Sequence, residues 1–102
     1  MQEDFKQIDI HEAKKMLEKQ AVTIIDIRDA QSYSQGHIEN AVLVNDDNLN
    51  EFLNKTDKNK PLICYCYHGN NSQSAAIFFM NEGFQEVYSI AGGFEEYKKL
   101  YK

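Results

Sequence analysis

The stretch LICYCYHGNNSQSAAIFFM, residues 62–80, places two thiols where an apolar run gives way to a helical pattern. Cys64 and Cys66 lie near its middle, and Gly69 follows in the turn. Because glycine adopts positive φ easily, a tight loop here can direct successive backbone N–H groups inward, toward an anion. The free N–H groups and the positive dipole end of the next helix add to this field. A thiol in such a loop is expected to have a lowered pKa and to react as a thiolate nucleophile.

The same residues allow other interpretations. Cys66 could be a small buried hydrophobic residue, and Cys64, within the apolar run, is expected to pack in the core. Cys64, Cys66 and His68 also recur with period two, so a straight strand would present all three to one zinc or copper ion. That spacing is unusual for metal ligands, and the strand should end before His68. A disulfide between Cys64 and Cys66 would be strained.

Length, charge and cysteine usage restrict the class of protein. The chain has 102 residues, enough for one domain over 1–102 and too few for two. Its net charge of −5 argues against a nucleic-acid partner. The start MQEDFKQIDI lacks the features of a signal peptide, and no apolar run reaches membrane-spanning length, so no membrane partner is expected. Two cysteines so close together form no disulfide framework, and we expect free thiols in a reducing cytoplasm.

Strand-like and helix-like segments alternate along the chain. Apolar, β-branched runs predict strands at 5–9, 21–27, 41–44, 61–67 and 85–90. Helical patterns fall between them, at 10–20, 29–37 (a brief helix or turn), 46–55, 71–83 and 92–102. This alternation predicts a three-layer α/β/α domain with a central, mostly parallel five-stranded sheet. Ligands of such sheets bind beyond the carboxyl ends of the strands, where residues 66–72, called here the cysteine loop, follow the fourth strand.

Three separated stretches resemble the single-domain rhodaneses, or thiosulfate sulfurtransferases. VTIIDIRDAQSYSQGHIENA (22–41) resembles the family's strand, its Asp-x-Arg and its Gly-His-Ile segment. CYHGNNS (66–72) resembles the active-site loop, and GFQEVYSIAGGFEEY (83–97) resembles the closing strand and Gly-Gly-aromatic turn. The resemblance extends over nearly the whole chain and implies a rhodanese-like fold. Within the family, Cys-Tyr-His-Gly-Asn is most similar to the loop of the small bacterial GlpE-type group.

The resemblance implies a double-displacement transfer of sulfur. Cys66 would take the sulfane sulfur of thiosulfate, a small anionic donor, and hold it as a persulfide. Cyanide or a thiol, which could belong to a thioredoxin-like protein, would then accept that sulfur. The residues implied to cradle the substrate and the persulfide are those of the loop: Tyr67, His68, Gly69, Asn70, Asn71 and Ser72. No metal and no organic cofactor is implied.

Three further residues near this loop are given structural roles by the resemblance. Asp26 and Arg28 end the second strand, where either could approach the active face, but the family suggests that they brace neighbouring loops. His37 is expected to be a structural histidine for the same reason. His68 has two open interpretations: its ring could tune the loop, or it could point into solvent while only its N–H serves the site.

The loop departs from the family pattern at one important position. Many rhodanese loops have Arg where this chain has Asn71, which leaves the preferred donor open; Asn40 also replaces a common Gly. The related phosphatases have Arg at the position of Ser72, where a guanidinium suits a phosphoryl transition state, so phosphatase and arsenate reductase activities are not expected. Two rival functions remain. One is a persulfide carrier or partner-binding module with little thiosulfate turnover, and the other is a metal- or redox-sensing domain that uses Cys64, Cys66 and His68.

Overall fold

A computed structural model of the protein describes residues 5–101, along which strands and helices alternate. The strands are β1 (Lys6–Ile8), β2 (Thr23–Asp26), β3 (Val42–Leu43), β4 (Leu62–Tyr65) and β5 (Val87–Ile90). The helices are α1 (Ile10–Lys19), α2 (Ala30–Gln35), α3 (Leu49–Lys55), α4 (Asn71–Asn81) and α5 (Gly93–Tyr101). Every predicted element is present, although the strands are shorter than predicted; Lys102, the end of the last predicted helix, lies outside the described residues.

The strands form one sheet in the order β1-β5-β4-β2-β3, and all pairings within the described residues are parallel. All four residues of β4, the central strand, are buried. Such a strand is apolar on both faces because helices cover both faces of a parallel sheet. This architecture confirms the predicted three-layer α/β/α fold.

Two apolar cores lie on opposite faces of the sheet. The core beneath α1, α2 and α5 contains, among others, Ala13, Tyr33, Ile63, Tyr65 and Phe94. The core beneath α3 and α4 contains, among others, Phe52, Cys64, Ala76, Phe79 and Val87. Within residues 5–101, no helix is both long enough and apolar enough to cross a membrane.

The carboxyl ends of the three middle strands meet at one edge of the sheet. Cys66 follows β4 there, between Ile27 and Arg28, which follow β2, and Ala91 and its neighbours, which follow β5. The parallel topology therefore surrounds the cysteine loop with residues that are far apart in the sequence.

Candidate active site

The sulfur of Cys66 lies inside the cysteine loop. Cys66 Sγ accepts hydrogen bonds from the backbone N–H of Gly69 at 3.1 Å and of Ser72 at 3.3 Å. Cys66 is only 5% exposed, so its sulfur is buried within the loop and does not project from an exposed turn. The burial has a clear cause: the chain curls around the sulfur instead of continuing the strand through Tyr67 as predicted, and β4 ends at Tyr65.

Gly69 gives the loop its curvature. Its φ is 97°, which confirms the predicted positive φ and is strained for any residue with a side chain. A Cβ at this position would also lie 2.8 Å from the backbone nitrogen of Gly92, closer than real contacts allow. Helix α4 then begins at Asn71, after its N-cap Asn70, and directs the N–H of Ser72 at the sulfur.

Hydrogen bonds favour the thiolate form of Cys66. Burial opposes ionisation, but the donors around the sulfur outweigh it and lower the pKa of the thiol below its ordinary value. The hydroxyl and N–H of Ser72 contribute most to this lowering, followed by the N–H groups of Gly69 and Asn71. Residues 61–80 include no Lys or Arg, so neutral donors on the loop and α4 supply the effect.

Cys64 has the opposite environment. It is completely buried, and its Sγ donates to the carbonyl oxygens of Ser72 at 3.4 Å and Tyr88 at 3.5 Å. Burial, together with the nearby charge of Cys66, raises the pKa of the Cys64 thiol to about 12. Both cysteines are free, and only the environment of Cys66 favours the thiolate by lowering the pKa of the thiol.

His68 does not join the two cysteines in a metal site. The strand ends before it, and its Nδ1 lies 2.7 Å from Oε1 of Glu95 on α5, with the histidine side chain 60% exposed. Across residues 5–101, no three His, Cys, Asp or Glu side chains are grouped so that they could hold a metal ion. The period-two pattern therefore produces no ligand set in this structure.

The N-terminus of α5 holds the loop from the other side. The N–H of Phe94 donates to the carbonyl oxygen of Cys66 at 2.9 Å, and the N–H of Glu95 donates to that of Tyr67 at 3.0 Å. Gly93 makes this approach possible, because a Cβ there would lie 2.3 Å from the Cys66 carbonyl oxygen. Residue patterns alone missed this contact; the glycine pair at 92–93 was the signal that could have indicated it.

The side chain of Tyr67 faces a groove beside the loop. Its hydroxyl accepts a hydrogen bond from Lys98 Nζ at 2.8 Å. The groove has a volume of about 500 Å³ and is lined by Arg28, Ser32, Gln35, Gly36, Tyr67, Phe94 and Lys98. Lys98 thus brings a positive charge next to a loop that has none.

Asp26 and Arg28 form a buried ion pair. Arg28 donates through Nε at 3.1 Å and Nη2 at 2.7 Å to the fully buried carboxylate, which also accepts from the Tyr65 hydroxyl at 2.6 Å. Arg28 Nη2 reaches the carbonyl oxygen of Gly36 at 2.6 Å as well. Burial by itself would lower the pKa of Arg28, but the hydrogen bond and charge of Asp26 raise it. The pair joins β2, β4 and the end of α2.

The remaining predicted site residues lie at the periphery. The His37 ring stacks on Tyr33 with 3.8 Å between centroids, and its Nδ1 lies 2.8 Å from the Tyr33 carbonyl oxygen. Asn70 and Asn71 are exposed on the outside of the loop. Asn40 has a φ of 72°, a left-handed conformation that asparagine tolerates better than most residues.

The buried pair supports a prediction about Arg28. Replacing Arg28 with methionine is expected to lower the free energy of unfolding by about 3–5 kcal/mol, because the Asp26 carboxylate would stay buried without its partner. Chemical denaturation measures this loss. Lys55→Met is the control: it breaks an exposed pair with Glu51 and should change stability little. If folded Arg28→Met protein lost the reactivity of Cys66, the structural role given to Arg28 would be wrong, and Arg28 would act on the Cys66 sulfur.

Comparisons with known proteins agree with this architecture. The family model described as "Rhodanese-like domain" matches residues 9–100. Thiosulfate sulfurtransferase GlpE of Pseudomonas savastanoi pv. phaseolicola is 42% identical over 98 residues, which cover 96% of this chain and 92% of that protein. The Coxiella burnetii protein of the same name is 46% identical over 94 residues, or 92% and 88% of the two chains.

A solved structure shows the same similarity in three dimensions. The crystal structure of a rhodanese-like domain protein from Staphylococcus aureus superposes with a TM-score of 0.79 at 29% identity and covers 91% of each chain. The sequence comparison and the backbone superposition therefore indicate the same family over most of the described residues.

Proposed function

Because this chain belongs to the rhodanese-like family, we propose that it is a thiosulfate sulfurtransferase that acts through Cys66. The observation that carries the role of Cys66 is the position of its sulfur, which accepts N–H hydrogen bonds from Gly69 and Ser72. The rhodanese-like domain is taken to span residues 1–102. The curated relatives named thiosulfate sulfurtransferase, at 40–46% identity, support the reaction class.

The first half-reaction transfers a sulfur atom to the enzyme. The Cys66 thiolate attacks the sulfane sulfur of thiosulfate, so a bond forms between the two sulfur atoms. The sulfur–sulfur bond of thiosulfate breaks, and its electron pair leaves with sulfite. One thiolate and one dianion are consumed, and one persulfide anion and one sulfite dianion are formed. No oxidant, reductant or further co-reactant is needed.

The second half-reaction returns the enzyme to its starting state. Cyanide attacks the terminal sulfur of the persulfide, a carbon–sulfur bond forms, and the sulfur–sulfur bond breaks toward Cys66. The products are thiocyanate and the Cys66 thiolate. A thiolate acceptor, such as that of a thioredoxin-like protein, would take the sulfur as its own persulfide in the same way.

The cysteine loop stabilises both anionic forms of Cys66, the thiolate and the persulfide. The N–H groups of Gly69 and Ser72 are already directed at the sulfur, so they stabilise negative charge without reorganisation. They are neutral donors, whereas many family members have an Arg at the position of the exposed Asn71. We assign attraction of the anionic donor to Lys98 in the neighbouring groove. We place the reaction in a reducing cytoplasm, in keeping with the two free thiols.

The absence of a loop Arg also favours a second candidate function. With Asn71 at that position, the chain could act as a persulfide carrier that receives sulfur from another protein's persulfide and turns over thiosulfate slowly. Pre-steady-state kinetics separate the two functions. A sulfurtransferase loads from thiosulfate rapidly, whereas a carrier loads rapidly only from a protein or low-molecular-weight persulfide.

Intact-protein mass spectrometry tests the proposal directly. The protein is mixed with thiosulfate, and we expect its mass to rise by one sulfur atom; subsequent cyanide should return the original mass and release thiocyanate. Protein alkylated beforehand at Cys66 is the matched control and should gain nothing. If unmodified protein gains no sulfur from thiosulfate, the thiosulfate sulfurtransferase assignment is wrong.

The lowered pKa of Cys66 gives a second prediction. Alkylation by iodoacetamide proceeds through the thiolate, so its rate should rise with pH around a midpoint below that of an ordinary thiol. At neutral pH, Cys66 should therefore react much faster than Cys64, whose thiol stays protonated. Peptide mapping measures both rates. Sulfite should slow the reaction at Cys66 by occupying the loop, and thiosulfate should slow it by converting the thiolate to a persulfide. A slow, ordinary titration without protection by sulfite would contradict the proposed site.

A further inference from the structure

Behind the sulfur of Cys66 lie two buried hydroxyl groups. The Ser72 hydroxyl oxygen is 3.6 Å from Cys66 Sγ and 2.7 Å from the hydroxyl oxygen of Ser89 on β5. Ser72 and Ser89 are both completely buried. A hydrogen-bonded chain of side chains thus runs from the Cys66 sulfur through the Ser72 hydroxyl to the Ser89 hydroxyl in the sheet.

The number of hydrogens in this chain depends on the state of Cys66. With a thiolate, the Ser89 hydroxyl donates to Ser72 and the Ser72 hydroxyl donates to the sulfur, so both hydrogens have an acceptor. With a thiol, a third hydrogen enters the chain and the sulfur becomes a poor acceptor. The directions then reverse, and the Ser89 hydrogen is left over, because Ser89 makes no other side-chain hydrogen bond within residues 5–101. A buried donor without an acceptor is costly.

We propose that Ser89 is a positioning residue: its hydroxyl donates to Ser72 Oγ and thereby holds the Ser72 hydrogen on the Cys66 sulfur. The proposal rests on the proposed function in one respect, that Cys66 is the nucleophile. Ser89 itself touches neither the sulfur nor the substrate. Its effect passes through Ser72, whose hydroxyl also contributes to the lowered pKa of Cys66.

Charged and titratable groups on the surrounding elements do not account for such an effect of Ser89. They are Cys64 and Tyr65 on β4, Asp26 and Arg28 from β2, Tyr67 and His68 in the loop, Tyr88 on β5, and Glu95, Glu96, Tyr97, Lys98, Lys99 and Tyr101 on α5. Helix α4, from Asn71 to Asn81, carries no charged side chain. A substitution at Ser89 leaves all of these groups unchanged, so a change in Cys66 titration can be assigned to the hydroxyl chain.

A double-mutant cycle tests the proposal through the pH dependence of Cys66 alkylation. The four proteins are the wild type, Ser89→Ala, Ser72→Ala and the double variant, and the modified Cys66 peptide is quantified by mass spectrometry. We expect Ser89→Ala to raise the midpoint by about half to one pH unit, the size of one hydrogen bond's contribution. We expect Ser72→Ala to raise it further, and the Ser89 substitution to add nothing when Ser72 is already alanine.

Two results would overturn the proposal. One is an unchanged midpoint in Ser89→Ala. The other is an equal shift with and without the Ser72 hydroxyl, which would mean that Ser89 acts through packing. If Ser89→Ala does not fold, Ser89→Thr, which keeps the hydroxyl on a strand, should keep the wild-type midpoint, and Ser72→Ala alone must still raise it.

Val87→Ala provides the packing control. Val87 is buried on the same face of β5, so the substitution removes atoms from the same strand without touching a hydrogen bond. It should lower the temperature of unfolding and leave the Cys66 midpoint unchanged; a shift as large as that of Ser89→Ala would contradict the proposal. Alkylation needs no thiosulfate, so a wild type that takes no sulfur would refute the proposed function while the cycle still decides the role of Ser89.

Discussion

Replacing Cys66 with serine is expected to abolish sulfur transfer while the domain stays folded. We expect thiocyanate production from thiosulfate and cyanide to fall by roughly a thousandfold or more, since an unactivated hydroxyl is not ionised at neutral pH and cannot form a persulfide. Stability should change little, because Gly69 and Ser72 can donate their N–H groups to an oxygen as they do to the sulfur. The measurements are turnover and thermal unfolding of the same preparation.

Cys64→Ser is the matched control for this result. It makes the same atomic change two residues earlier, at a completely buried position within an apolar core. Turnover should be retained, and the free energy of unfolding should fall by roughly 1–3 kcal/mol, because a hydroxyl replaces a thiol in a largely apolar site. Turnover that survives in Cys66→Ser, or disappears in well-folded Cys64→Ser, would show that the two cysteines have been assigned the wrong roles.

The strand that carries Cys64 shows how far the sequence predicts the fold. The run PLICYCY was predicted to be a strand through Tyr67, but β4 ends at Tyr65. The pairing of β4 with its neighbouring strands stops there because the carbonyl oxygens of Cys66 and Tyr67 accept hydrogen bonds from the N-terminus of α5 instead. Helix α5 lies almost 30 residues further along the chain. Local hydrophobic patterns place the strand correctly, but they include no information about a partner so distant in sequence.

The candidate site also has features that the local sequence predicts and features that depend on the pairing of distant strands. The positive φ of Gly69 could be predicted, because it follows from a tight turn between a buried strand and a helix. The position of Ser89 behind Ser72 could not, because it depends on the register that pairs Cys64 with Ser89 across β4 and β5. The hydrogen bond from Tyr65 to Asp26 could not be predicted for the same reason. Tyr65 reaches the Asp26 carboxylate only because β2 pairs with β4 in this register.

Gly69 is the position at which a single methyl group should damage the site most. Gly69→Ala is expected to reduce kcat/KM for sulfur transfer by about 10²–10³-fold, the range measured when one oxyanion-hole donor is lost. The new Cβ would lie 2.8 Å from Gly92 N and 3.2 Å from the Ile90 carbonyl oxygen, so the loop must shift. That shift moves the Gly69 N–H away from its present 3.1 Å contact with Cys66 Sγ.

Gly83→Ala separates this effect from simple backbone strain. Gly83 has a similar φ of 104°, but a Cβ there would meet only the flexible Lys58 side chain, at 3.5 Å. Both substitutions should destabilise the protein by about 1–2 kcal/mol through the left-handed backbone. Only Gly69→Ala should also raise the pH midpoint of Cys66 alkylation and lower turnover. Equal turnover in the two variants would mean that the Gly69 N–H does not stabilise the Cys66 sulfur, since both variants carry the left-handed backbone strain and only the Cβ at position 69 also displaces the loop around the sulfur.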